Sequence, residues 1–269
     1  MSFVGATTPV GHLLEVATGA ARLADAARSR GAELVIVNTC GLVQGGLARA
    51  LLSAKIRLLQ PSHVVSVALA GETEEILAGL RGLHVPAVYR LQPSPRATSR
   101  SPEQRKRRRQ EKFAAYFEGA AQCQLDFAQV ALQGTAWLSG RPLERMYRAY
   151  AQDCLEARLL WAERTPAGAF LVVDRPPAPG CRATLAEGLG REIVVVERTI
   201  FENLLVGLLG ADGEDIALGI ITDIDFARQR LTVLTPAAPT TQPAGLQLGT
   251  MRVTPEGLEL GSFSSATWG

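Results

Sequence analysis

Apolar and polar positions change period along this chain. Leu13, Ala17, Ala20, Ala24 and Ala27 recur at helical spacing and predict an amphipathic helix from about Val10 to Arg30. Leu34-Val35-Ile36-Val37 is a continuous apolar run, the pattern of a strand covered on both faces in a parallel sheet. Leu51, Leu52, Ile56 and Leu59 predict a second helix over 47–59, and apolar runs at 64–69 and 85–91 predict two further strands. Phe3-Val4 reads as a short strand fragment ahead of the first helix. Strand and helix therefore alternate over the first part of the chain, which predicts a doubly wound α/β region.

Gln92-Pro93-Ser94-Pro95 reads as a linker by its prolines. A helix over about 99–119 follows, with a strong start signal. Ser101-Pro102-Glu103-Gln104 places Ser at the N-cap, Pro at the first helical position and Gln where a capping box needs it. Beyond residue 122 the texture becomes short β-like runs punctuated by Thr165-Pro166-Ala167-Gly168, Asp212-Gly213 and Thr254-Pro255-Glu256-Gly257. Ile220–Phe226 and Leu231–Leu234 flank Ala227-Arg228-Gln229-Arg230 as a hairpin. A helix is expected around Leu143–Cys154, and Leu155–Leu160 reads equally as a strand or as that helix's end. The expected organisation is an α/β domain over 1–121 and a β-rich domain over 122–269, for which a small barrel is one arrangement.

Composition narrows the class. The chain has 269 residues, 47% of them hydrophobic, enough to bury a core. It contains no apolar stretch long enough to span a bilayer, which takes about 20 residues, and its N-terminus carries neither the basic region nor the apolar run of a signal peptide. Cys40, Cys123, Cys154 and Cys181 are widely spaced, with no C-x-x-C pair, so neither a zinc site nor a disulfide framework is expected. A reducing, cytoplasmic setting fits this usage. Charge is uneven: residues 96–112 hold eight basic and two acidic residues, a net +6 in a chain whose total is +2. That is one local cation cluster and not a surface basic all over.

Three segments offer chemistry. In Gly5-Ala6-Thr7-Thr8-Pro9 a glycine turn and hydroxyl residues lead into a helix, whose free N–H groups and dipole attract an anion such as phosphate; Thr8 as a plain N-cap is the simpler reading. Asn38, Thr39, Gly41 and Leu42 follow the expected buried strand, at the strand end where open α/β sheets bind ligands, and an ordinary glycine-rich connection would look the same. Arg105 and Arg109 lie four apart on one helix face, suited to phosphate oxygens and to a transferring phosphoryl group, whereas a charge run is also commonly just a solvated face. The only lysines are Lys55, Lys106 and Lys112, and none sits in a G-x-x-x-x-G-K-[ST] loop. Asp223 and Asp225 read as hairpin residues, and no metal ligand is assigned.

The ordered set carries a resemblance. Phe3-Val4-Gly5-Ala6-Thr7-Thr8-Pro9 is similar to the clasp segment of the polynucleotide 5′-hydroxyl kinases of pre-mRNA cleavage, tRNA splicing and rRNA processing. Ile36-Val37-Asn38-Thr39-Cys40-Gly41-Leu42-Val43 resembles their next strand and loop, and Arg105 to Gly119 their arginine-bearing lid. Gly207-Leu208-Leu209, Leu218-Gly219-Ile220 and Asp223-Ile224-Asp225 through Thr235-Pro236 resemble their C-terminal β domain. The resemblance implies a partial P-loop-type parallel sheet with flanking helices, followed by a β-rich domain. It implies transfer of the γ-phosphate of ATP, with magnesium, to the 5′-hydroxyl of RNA or DNA. Thr7, Thr8 and Pro9 would then grip a backbone phosphate, Asn38, Thr39, Gly41 and Leu42 would contact substrate, and Arg105 and Arg109 would be the catalytic lid arginines. Leu42 stands where eukaryotic members carry a tryptophan that stacks on a base, a contact worth about 1–3 kcal/mol. The family's nucleotide loop and magnesium carboxylate lie upstream of the segment that begins here. The expectation is therefore an incomplete kinase whose Met1 is a misplaced start or the mark of a split gene, needing an N-terminal half as partner. The alternatives are a non-catalytic RNA-binding or scaffolding relative, and an unrelated α/β protein with a solvated basic helix.

Overall fold

The computed structural model describes residues 1–238 and 242–269. The chain divides into two compact units, Met1–Arg105 and Lys106–Gly269.

In the first unit, helix α1 (Leu13–Ser29) packs on α2 (Gly45–Leu59). Gly19 of α1 lies against Ser2, and both helices bury small or apolar residues, Ala17 and Ala24 on α1 and Ala48, Leu51 and Leu59 on α2. The two are tied where α2 ends, because Arg28 donates to the carbonyl of Leu59 at 2.9 Å, a cation on the negative end of a helix dipole. Strand β1 (His63–Val67) and strand β2 (Ala87–Leu91) form a parallel pair in the register His63↔Ala87 to Val67↔Leu91. The crossover between them carries the short helix α3 (Glu74–Leu77). Glu74 accepts two hydrogen bonds from Arg90 on β2, at 2.7 and 3.0 Å, and that guanidinium lowers the Glu74 carboxyl below its ordinary range.

Two expected strands of this unit do not form. Phe3-Val4 and Leu34–Val37 are irregular backbone, and Leu34 and Ile36 are 77% and 83% exposed instead of covered on both faces. A strand exists only where a neighbour takes its N–H and C=O groups, and among the described residues no strand runs beside 34–37.

Helix α4 (Pro102–Phe117) leads into the second unit, which is built in three layers. The first layer is a sheet of β3 (Ala121–Asp126), β4 (Ala131–Gln133), β9 (Leu204–Leu209), β10 (Asp215–Asp225), β11 (Arg230–Thr235), β12 (Gly245–Val253) and β13 (Glu259–Ser262). Its order is β13-β12-β9-β10-β11-β3, with β4 parallel to β12. The second layer is the sheet β5 (Arg141–Pro142), β6 (Leu159–Arg164), β7 (Gly168–Val173) and β8 (Glu192–Glu197), in that order. The third is formed by α5 (Arg145–Leu155) and α6 (Cys181–Leu189), α6 being the crossover that makes β7 and β8 parallel.

Strand β7 is the middle of these layers. Phe170 and Val172 enter the core shared with the large sheet, while Ala169, Leu171 and Val173 enter the core shared with α5 and α6. The period of two thus puts apolar residues on both faces, and all six residues are buried. The larger core is aromatic: Phe127, Trp137, Trp161, Phe201 and Phe226 meet at centroid distances from 4.8 to 6.5 Å. Such pairs add about 0.5–1.5 kcal/mol each beyond area burial. The expected hairpin is present as β10 and β11, paired from Ile220↔Leu234 to Asp225↔Arg230. The expected helix is α5, and Leu155 is its last residue. The small barrel is not formed: β3 and β13 are the ends of an open order, and a second, mixed sheet covers the first.

Candidate nucleic-acid interface

Helix α4 starts as its local sequence demands. Gln104 donates its backbone N–H to Ser101 Oγ at 3.2 Å, and Ser101 donates its own to Gln104 Oε1 at 3.0 Å. This reciprocal capping box satisfies donors that a helix start leaves unpaired. Ser101 Oγ also donates to Glu103 at 2.6 Å, which lowers the Glu103 carboxyl. Arg105 follows in the first turn and donates to the carbonyl of Arg100 at 2.7 Å. Arg107 pairs with Glu111 one turn on, at 2.9 Å. Arg105, Lys106, Arg108 and Lys112 are exposed, and among the described residues no carboxylate pairs with them.

Arg109 differs. Its guanidinium donates two hydrogen bonds to Glu259 on β13, at 2.7 and 3.0 Å. The Glu259 side chain is only 11% exposed, and the pair raises the Arg109 pKa. A planar fork on a carboxylate is among the stronger polar contacts a protein makes. Two further contacts fix the same helix. Leu218 of β10 donates its backbone N–H to the Tyr116 hydroxyl oxygen at 2.9 Å. The turn before β13 brings Gly257, at φ +85, against the helix backbone. A Cβ there would overlap the Gln110 carbonyl oxygen and lie 2.7 Å from the Ala114 nitrogen. Gln110, Phe113, Ala114 and Phe117 recur at i, i+3, i+4 and i+7 and are more covered than the opposite face.

The other expected site residues lie in the first unit. Thr7 and Thr8 are exposed and Pro9 is half-buried. The helix does not start there: Thr8 Oγ1 accepts from the Val10 N–H at 3.3 Å, and the Pro9 carbonyl accepts from His12 at 3.0 Å. A turn therefore separates Pro9 from α1, whose N-cap is His12, so Thr8 is neither its N-cap nor Pro9 its first residue. Asn38, Thr39 and Gly41 are exposed and Leu42 is half-buried, in the irregular segment that leads to α2. Among the described residues no hydrogen bond joins this segment to the Thr7–Pro9 turn.

None of the three lysines follows a glycine loop. Among the described residues no group of three or more His, Cys, Asp or Glu is placed to hold a metal ion. Arg105, Arg108 and Lys112 leave exposed donors of the kind that bind phosphate oxygens, whereas the described residues offer neither a glycine-loop lysine nor a carboxylate cluster for a nucleotide and its metal. Among the described residues no helix is long and apolar enough to cross a membrane.

Sequence reasoning missed Glu259, Gly257 and the hydrogen bond of Tyr116. The turn at Thr254–Gly257 was visible, but its partner helix lies about 150 residues earlier, and no local pattern records such a pairing. The i, i+3, i+4, i+7 set on α4 was the available sign that this helix has a docked face.

Comparison with known proteins agrees with the resemblance drawn from the residues. Residues 1–119 match the family described as mRNA cleavage and polyadenylation factor CLP1 P-loop. The chain is 29% identical over 262 residues to a polyribonucleotide 5′-hydroxyl-kinase of Methanocaldococcus jannaschii, a match covering 96% of this chain and 70% of that protein. It is 29% identical over 265 residues to one of Thermococcus kodakarensis, again covering 96% and 70%. A solved complex of wild-type Clp1p with Pcf11p is similar at 11% identity and a TM-score of 0.48, over 90% of this chain and 52% of that one. The chain thus spans about half the length of that solved protein. By these matches residues 1–119 are similar to the CLP1 P-loop family, and the chain over most of its length is similar to the polyribonucleotide 5′-hydroxyl-kinases.

Proposed function

We propose that this chain is the substrate-holding and lid-bearing part of a polynucleotide 5′-hydroxyl kinase that phosphorylates RNA or DNA ends. The observation that carries the reading is helix α4: capped at Ser101, held on the β-rich unit, and presenting Arg105, Arg108 and Lys112 outward. Kinase chemistry of this class is mostly positioning and charge stabilisation. Arg105, on the lid helix with Arg109, would offset charge on the transferring phosphoryl group. Thr7, Thr8 and Pro9 would hold a backbone phosphate, and Asn38, Thr39, Gly41 and Leu42 the terminal nucleotides. ATP and magnesium, which the P-loop kinases use, would be bound by a polypeptide that carries the G-x-x-x-x-G-K-[ST] loop, because these 269 residues contain none. The same fact favours a second reading, a non-catalytic RNA-binding relative.

The test is phosphate transfer from γ-labelled ATP to a 5′-hydroxyl oligonucleotide with magnesium. It is run with the chain alone and with polypeptide encoded directly upstream. Transfer only in the mixture supports the divided kinase. Salt-sensitive RNA binding with no transfer in either case supports the binding module. Transfer by the chain alone would mean that nucleotide is held by a loop other than the one named here.

A further inference from the structure

We propose that Glu259 is a positioning residue: with Gly257 and the Tyr116 hydrogen bond it holds α4 on the β-rich unit. Arg109 is then the tether of the helix, and its phosphate contacts come from Arg105, Arg108 and Lys112. The inference rests on the reading of α4 as the nucleic-acid-facing lid.

Helical geometry supports the division of labour. Arg105, Arg108 and Lys112 are spaced i, i+3 and i+7 and form one stripe along the helix. Gln110, Phe113, Ala114 and Phe117 form the docked face. Arg109 lies at the border between the two, and among the described residues it alone of the cation run has two guanidinium nitrogens on a carboxylate, 150 residues away in sequence. An arginine so engaged cannot also fork onto a phosphate without leaving Glu259, whose side chain is 11% exposed and would be left as a poorly solvated charge. The close approach at Gly257 fixes the helix on the side away from the stripe, and the Tyr116 contact, two turns beyond Arg109, fixes it along the same border as Arg109. The β-rich unit is therefore the mount that aims the cations.

The experiment compares the full chain with R109E, E259R and the exchanged pair R109E/E259R. Two quantities are read: amide hydrogen exchange over 106–117, and the salt dependence of binding to a 5′-hydroxyl single-stranded RNA. Each single reversal should speed exchange in the helix by about tenfold, and the exchanged pair should return most of the protection. The pair should also keep the wild-type salt slope, whereas R105E should lower it by about 0.7 for each phosphate that is no longer neutralised. Two results would overturn the proposal: an exchanged pair as unprotected as the single variants, or one whose salt slope drops by about 0.7, which would make Arg109 a phosphate ligand. Should the wild-type chain bind no RNA, the reading of α4 as a nucleic-acid-facing element of this chain falls, and the exchange measurements decide the positioning role by themselves.

Discussion

Replacing Gly257 with alanine should separate α4 from its mount. The backbone there has φ +85, which costs an L-residue about 1–2 kcal/mol. The new Cβ would lie 2.7 Å from the Ala114 nitrogen, where ordinary contact begins at 3.4 Å, and would overlap the Gln110 carbonyl. Turn or helix must retreat by more than half an ångström, and forced overpacking of that kind costs about 1–3 kcal/mol. The reduced freedom of the unfolded chain offsets about 0.4–1 kcal/mol. The net is a destabilisation of about 2–4 kcal/mol, or a fall in Tm of roughly 5–15 °C for a domain of this size. Gly213→Ala is the control, since Gly213 has φ +75 but a Cβ there meets nothing within 4 Å. It should show only the backbone cost of about 1 kcal/mol. Thermal melts followed by far-ultraviolet circular dichroism make the comparison. Equal losses in the two variants would refute the close approach of α4 to this turn.

Three other outcomes follow from single contacts. Ser101→Ala removes the capping box and should cost about 1 kcal/mol, seen as faster amide exchange in the first turn of α4 with the last turn unchanged. Tyr116→Phe leaves the Leu218 N–H without its acceptor and should destabilise by about 1–2 kcal/mol in denaturant titration; an unchanged midpoint would remove this contact from the mount. Glu163 is buried, and burial raises its carboxyl pKa although the Trp161 indole N–H at 2.6 Å and the Gly140 N–H at 3.3 Å favour the charged form. Between the ordinary carboxylate value and the raised one, the folded chain keeps a proton that the unfolded chain has released, so stability falls as pH rises through that window. Glu163→Gln should lose this slope, and the wild-type Tm minus the variant Tm should decrease as pH rises; a constant difference would show that Glu163 titrates alike in both states.

What could be read from the sequence was what the chain decides locally. The start of α4 was legible because Ser101, Pro102 and Gln104 carry the cap in four consecutive residues, and the β10–β11 hairpin because its turn joins adjacent strands. Leu34–Val37 was misread because its apolar run records what the segment would bury in a full sheet, and pairing depends on neighbours that its own residues do not specify. The β7–α6–β8 unit went unread although Ala169–Val173 has the continuous apolar pattern assigned instead to Leu34–Val37. The site was legible only in part for the same reason. The cation run is local, but the choice of Arg109 as the residue that Glu259 holds depends on how α4 lies on β13, a tertiary fact.

The aromatic core has a practical consequence for watching this molecule unfold. All three tryptophans, Trp137, Trp161 and Trp268, belong to the unit Lys106–Gly269, and Trp137 and Trp268 are each 1% exposed. Residues 1–105 contain none. Intrinsic tryptophan emission is therefore a built-in reporter for one unit, silent about α1, α2 and the parallel strand pair, whose helices still register in circular dichroism. Recording both signals in a single melt gives two clocks, and the interval between them measures how far each unit depends on the other to stay folded.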